Sequence, residues 1–257
     1  MTPPARPAAS PAVIRDDWSE LRRLTPARLA LGRSGAALPT RAVLDFGLAY
    51  AQARDAVHGA LDGEALQAAL QAQGLAAIRL RSRAPNRAAY LARPDWGRRL
   101  HPEDAARLRP DVPPAELVIV LSDGLSARAV QDHALPLLEA LLPRLADWRV
   151  APLVIATQAR VALADEVGER LAAGAALSLI GERPGLSAPD SLGAYLTWSP
   201  RVGRSDAERN CISNIRPASL VYERAADAIT ALLAAMRQAR CSGVGLGPHG
   251  LAIDARP

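Results

Sequence analysis

Three short apolar runs constrain this chain more than any other feature. They are ELVIVL at Glu116–Leu121, LVIA at Leu153–Ala156 and ALSLI at Ala176–Ile180. Each is too short for a typical helix and is apolar at nearly every position, not at every second one. A strand apolar on both sides must be covered on both sides, as in a parallel sheet between two helical layers. Helical patterns lie between and after the runs, at Ala127 to Leu145, Ala162 to Ala172 and Leu220 to Arg240. The expected fold is therefore α/β, a Rossmann-like, doubly wound, mostly parallel sheet.

The segment before it reads differently. Residues 1–15 are rich in Pro and Ala without periodicity, as a disordered tail would be. Residues 16–75 read as a small helical region, and residues 76–257 as the α/β domain. Within the helical region, Trp18 to Leu24 suits a short turn. Thr25-Pro26 offers an N-cap and first helical position for a helix stopped by Gly32, Pro39-Thr40 opens another, and Gly63 to Gln73 forms a third before Gly74. Further on, Ala77 to Arg81 alternates as a strand does, Asn86 to Arg93 suits a short helix, and Ala194 to Trp198 is a further candidate strand. Pro136 should kink or split its helix.

Composition removes several classes of function. All 31 basic residues are arginine, so no lysine is present for a Schiff base or a P-loop. The net charge of +5 comes from arginines scattered among 26 acids, with no dense one-sided run, so nucleic-acid binding is not expected. The two cysteines, Cys211 and Cys241, make no disulfide framework, and the four histidines lack metal-ligand spacing. No apolar run approaches the roughly 18 residues of a membrane span, and the first residues lack the apolar segment of a secretory signal. A reducing, cytoplasmic setting is the expectation.

In open α/β sheets, ligands bind beyond the carboxyl ends of the strands. That rule selects the loops Ser122–Ser126, Thr157–Val161 and Gly181–Gly185. Glycine in two of them would allow close backbone approach to a ligand. No GxGxxG follows a strand, and neither Gly124-Leu125-Ser126 nor Gly185-Leu186-Ser187 completes a nucleophile elbow. Asp132-His133 suits a surface histidine better than a catalytic pair, because adjacent helical residues point apart. Glu182 can be read either as half of a local ion pair with Arg183 or as an acceptor for a ligand's amide groups. Cys211 sits among Asn210, Ser213 and Asn214, polar company that suits a ligand-facing loop. No set of base, nucleophile and orienting group can be assembled, which argues against a stand-alone enzyme.

Five blocks carry a resemblance to a known family: residues 21–58, residues 120–134 (VLSDGLSARAVQDHA), residues 159–169 (ARVALADEVGE), residues 180–201 (IGERPGLSAPDSLGAYLTWSPR) and residues 207–217 (AERNCISNIRP). GERPGL and CISNI, in this order, are its most specific phrases. The sequence resembles the light chain of ethanolamine ammonia-lyase. The resemblance implies a lyase that converts ethanolamine to acetaldehyde and ammonia by adenosyl-radical chemistry, with adenosylcobalamin as cofactor. It places the substrate pocket on a heavy chain, so no catalytic residue and no metal ligand is expected on this one. The cofactor would sit at the junction of the two chains, within a higher hetero-oligomer. The family's cofactor positions fall on Val161, Glu182 and Cys211, with Arg160 and Arg183 as further candidates for the nucleotide phosphate. The chain lacks the DxHxxG motif whose histidine replaces the cofactor's own base, so base-on cobalamin is expected. Some members enter a bacterial microcompartment, although PPARPAASPAV shows no amphipathic targeting pattern.

Overall fold

The computed structural model describes residues 12–110 and 113–246. Most of the N-terminal tail, residues 1–11, therefore lies outside the described residues. The chain divides into two compact units, residues 1–53 and residues 54–257.

In the first unit a 3-10 helix spans Asp17–Arg23, with Asp16 accepting from the Trp18 N–H at 3.0 Å. The helix expected from Thr25 to Gly32 does not form. The Thr25 hydroxyl instead accepts from the Ala27 N–H, and Ala30 takes a left-handed conformation that a helix cannot contain. Gly32 precedes a bridge in which Ile14 and Arg33 exchange main-chain hydrogen bonds of 2.7 and 2.9 Å. Helix α1, Thr40–His58, then runs across the boundary between the units.

The second unit alternates helices and strands. Helix α2 (Gly63–Ala72) starts where Asp62 accepts from the Ala65 N–H, and strand β1 (Ala77–Arg81) follows. The short helix expected over Asn86 to Arg93 is α3 (Arg87–Ala92), with Asn86 as its cap, and α4 (Pro102–Arg107), which begins on a proline, was not expected. Then come β2 (Leu117–Ser122), α5 (Ala127–Leu141), β3 (Leu153–Thr157), α6 (Leu163–Arg170), β4 (Ala175–Gly181), β5 (Leu192–Trp198), β6 (Arg209–Ile215) and α7 (Tyr222–Ala239). Pro136 does not split α5. Leu137, Leu138 and Leu141 are fully buried beyond it, and at roughly 1.5–3 kcal/mol each their burial outweighs the hydrogen bond that a proline cannot donate.

The strand order is β1-β3-β2-β4-β5-β6. The first three ladders are parallel, and the β4–β5 and β5–β6 ladders are antiparallel. The domain is α/β as expected, and β1, β3, β2 and β4 run parallel, but β5 and β6 pair antiparallel, so the sheet is mixed and not the Rossmann-like parallel one expected. The cause lies in the segment after β4, which returns as a hairpin instead of crossing over through a helix. Strand β6 was read as a loop because only Arg209, Ile212 and Ile215 are buried along it. A sheet-edge strand has one wet side and looks polar in sequence.

Successive residues of each central strand serve opposite layers. Leu117, Ile119, Leu121 and Ile155 pack in one cluster with Leu70 of α2, Leu137 of α5 and Leu233 of α7. Val118, Val120, Val154 and Ala156 pack in the other with Leu163 and Val167 of α6. The outer side of β1 is plugged: the Gln67 amide donates to the Ala77 carbonyl, Asp104 accepts from the Arg81 N–H, and the His101 N–H donates to the Arg81 carbonyl, all at 2.8 Å.

Glu166, 2% exposed on α6, ties down the segment before α4. Its carboxylate accepts from Arg99 at 2.8 Å, the Leu100 N–H at 3.0 Å and Arg170 at 3.3 Å. Burial pushes its pKa up, but these donors outweigh burial and hold it below the ordinary glutamate range. A depressed pKa supplies stability above the unfolded value, about 4.3, and loses it as pH falls through the folded one. Glu166→Gln is expected to cost roughly 2–3 kcal/mol at pH 7, less than a fully buried pair because Arg99 stays partly solvated. In urea titrations the deficit should narrow below about pH 4. A deficit that ignores pH would show that the role is not electrostatic.

Candidate functional site

The carboxyl ends of β2, β3 and β4 meet around one buried acid. Asp123, 1% exposed, accepts from the Gln158 N–H at 2.8 Å and the Ala159 N–H at 2.9 Å, so the turn after β2 holds the turn after β3. Burial raises its pKa, opposed by those two N–H groups and by Arg87 at 3.5 Å. Arg87 also donates to the carbonyls of Gly124 at 2.9 Å and Val57 at 2.7 Å. Tyr90, fully buried on α3, donates its hydroxyl to the Ala159 carbonyl at 3.1 Å. Arg87 and Arg160 both lie over its ring, at 4.8 and 4.4 Å from the centroid.

Gly124 and Gly181, in these loops, line a cleft and also have a packing role. A Cβ on Gly124 would strike the Gly181 carbonyl, and one on Gly181 would strike the Ser126 carbonyl. Gly124 also has φ +53°. Both residues let two loops touch backbone to backbone.

A cleft of about 250 Å³ opens there, lined by Tyr90, Leu125, Arg160, Val161, Glu182 and Tyr195 among others. Val161 and Glu182, expected from sequence, thus line one cleft. Cys211 is not on its lining. It stands on β6 directly across the ladder from Tyr195, whose hydroxyl donates to its sulfur. The residue is exposed, yet its thiol pKa is raised, first by desolvation against the sheet and then by the charge of Glu182. Desolvation raises the Tyr195 pKa as well, and its bond to Cys211 adds to the shift.

Glu182 is more committed than its sequence context implied. It accepts from the Ser191 hydroxyl at 2.5 Å, the Asn214 N–H at 3.2 Å and the Ser213 hydroxyl. Gly193 makes room for it, since a Cβ there would lie 2.9 Å from the carboxylate. Glu182 therefore fastens the β4–β5 hairpin to β6, and it forms no ion pair with Arg183 among the described residues. The far side of the hairpin's loop is held by Asp190, 3.5 Å from both His133 and Arg216, and by the Pro189 carbonyl, which accepts from Ser126 at 2.8 Å. His133 is buried and bonded to the Tyr222 hydroxyl at 2.9 Å, which corrects its reading as a surface residue.

Sequence reasoning missed Tyr90, Arg87 and Tyr195. A tyrosine at the fourth position of a helix capped by Asn86 was a usable signal in a chain with four tyrosines. A larger hollow, about 750 Å³, lies along β1, but its charges are spent on each other, as in the Arg79–Glu64 pair at 2.9 Å and the Arg81–Asp104 pair at 3.0 Å. Among the described residues no group of three His, Cys, Asp or Glu side chains is arranged to hold a metal ion, and no helix is long and apolar enough to cross a membrane.

Gly181→Ala should displace the crossing of the two loops and cost about 2–3 kcal/mol, as overpacking does. Gly185→Ala, whose new methyl would have nothing closer than 3.9 Å, should stay within about 0.5 kcal/mol. Equal urea midpoints for the two variants would disprove the close crossing.

The sequence profile of the family "Ethanolamine ammonia-lyase light chain (EutC)" matches residues 15–247. An ethanolamine ammonia-lyase small subunit of Azotobacter vinelandii is 55% identical over 243 residues, covering 92% of this chain and 90% of that one. Small subunits of Xanthomonas campestris pv. campestris and Pseudomonas aeruginosa are 52% and 51% identical, each with at least 90% of this chain and 88% of theirs covered.

Proposed function

The chain belongs to the ethanolamine ammonia-lyase light-chain family and is a small subunit of that lyase; we propose that its strand-end cleft grips one face of adenosylcobalamin at the junction with a heavy chain. The carrying observation is that Val161 and Glu182 line one cleft and Cys211 stands one ladder step from its wall. The residues suit the cofactor. Arg160 lines the cleft with its guanidinium over the Tyr90 ring and has no acid partner among the described residues, which leaves its charge for a group from outside the chain. Tyr195 and Val161 offer partly apolar wall to a corrin, and the main chain around Val161 offers polar groups to its amides.

Each group then has a defined part. Glu182 holds the hairpin against β6, so its effect on the cofactor is to fix the wall, with one carboxylate edge left to accept from an amide. Cys211, a thiol of raised pKa, packs as a neutral group with little reactivity. The cofactor supplies the radical that abstracts hydrogen from ethanolamine, and the substrate pocket belongs to the heavy chain. This chain excludes water and holds the cofactor in place. The absence of a DxHxxG histidine supports a base-on state. The exposed apolar residues of the first unit, among them Trp18, Leu24, Leu44 and Leu48, support a large partner surface in a higher hetero-oligomer. A cytoplasmic setting, with or without enclosure in a microcompartment, completes the reading.

Mixing this chain with its heavy chain, adenosylcobalamin and ethanolamine in the dark should yield acetaldehyde only when both chains are present. Turnover by either chain alone at the same rate would defeat the proposal. Glu182→Ala is expected to weaken cobalamin binding by the complex about tenfold, by loosening three hydrogen bonds at once, with a smaller effect on the KM for ethanolamine.

A further inference from the structure

Arg160 is held in place by its surroundings and left without an acid. Its main-chain N–H donates to the Gly97 carbonyl at 2.8 Å, and its guanidinium lies over the Tyr90 ring. Gly97 permits this packing, since a Cβ there would come within 2.8 Å of the ring and 3.0 Å of the Arg160 stem. Arg99 and Leu100, a few residues on, are tied to Glu166, so the segment that seats Arg160 is itself anchored. Yet the Arg160 side chain makes no hydrogen bond or ion pair with any described residue, and its Nε is buried. The acids nearest the cleft are already satisfied: Asp123 by Gln158, Ala159 and Arg87, and Glu182 by Ser191, Ser213 and Asn214.

A guanidinium fixed by an aromatic face, with unspent donors, is arranged for a planar pair of anionic oxygens. We infer that Arg160 receives a phosphodiester, the one in the nucleotide loop of the corrinoid. This rests on the cofactor reading above. The peripheral amides of a corrinoid are neutral, so the phosphodiester is the anion such a ligand brings to a cleft that Arg160 lines beside Val161. Arg183, exposed on the same cleft, adds a second positive charge at the rim. Arg160 binds the cofactor away from the reacting carbon, so its signature is affinity and ligand preference.

Three ligands isolate the phosphate: cyanocobalamin, cobinamide phosphate and cobinamide, which has neither phosphate nor base. Each is titrated against the heavy–light complex by its visible absorbance and by equilibrium dialysis. The wild-type complex should bind the two phosphate-bearing ligands more tightly than cobinamide. Arg160→Gln should weaken both by roughly tenfold or more and leave cobinamide within about twofold. Arg160→Lys, which keeps the charge but not the fork, should fall between on both phosphate-bearing ligands, and it carries the test if the Gln variant does not fold. Equal weakening of all three ligands, or of none, overturns the inference. So does loss of heavy-chain association in Arg160→Gln with rescue by Arg160→Lys, which would assign the arginine to a carboxylate of the partner. A wild-type complex that binds none of the three would instead remove the cofactor reading on which the inference stands.

Discussion

The buried carboxylate of Asp123 joins what the sheet alone would leave apart. The turns after β2 and β3 have no ladder between them, and two N–H groups donating to one acid set their spacing. Its cost is desolvation, visible in the raised pKa, and Arg87 offsets part of that cost from α3. Everything else in the cleft hangs from this point. Gly124 follows Asp123 in sequence and carries the crossing with Gly181. Ala159 follows Gln158 and receives the Tyr90 hydroxyl, and Arg160 comes next.

A second layer of contacts governs the β4–β5 hairpin. It is fastened at Glu182 to β6 and at Asp190 to α5 and to the segment before α7. Sequence reading treated Glu182 as a choice between a loop ion pair and a ligand acceptor. The structure gives it neighbours from two strands, Ser191 at the head of the hairpin's return and Ser213 on β6, which makes the hairpin a rigid wall.

Much of the central fold was legible because burial writes itself into sequence. β2, β3 and β4 are apolar throughout, and the loops after them were located from that pattern alone. What escaped was governed by pairing and not by burial. β6 shows a half-polar sequence because it has only one neighbour, and the direction of β5 depends on whether a connection is a hairpin or a crossover, which apolar content does not record. In the first unit, Thr25-Pro26 had every local mark of a helix start, but Ala30 is left-handed and Arg33 bridges back to Ile14, a contact distant in sequence that no local pattern shows. The site followed the same division. The strand-end rule located the loops that hold Val161 and Glu182, and the family resemblance singled out those two residues, whereas Tyr90 and Arg87 act from a helix whose placement over those ends is a tertiary fact.

The plugged edge of β1 has a bearing on how this chain associates. With the Ala77 carbonyl and both main-chain groups of Arg81 already taken by Gln67, Asp104 and His101, an extended strand from another molecule finds little of the edge to bond to. Growth of the sheet into a fibre or a swapped dimer through β1 is thereby discouraged. Along this edge, side-chain surfaces and loop ends remain the means of contact, so a neighbour there can be chosen by shape and charge and is not recruited by the backbone, which is alike in all proteins.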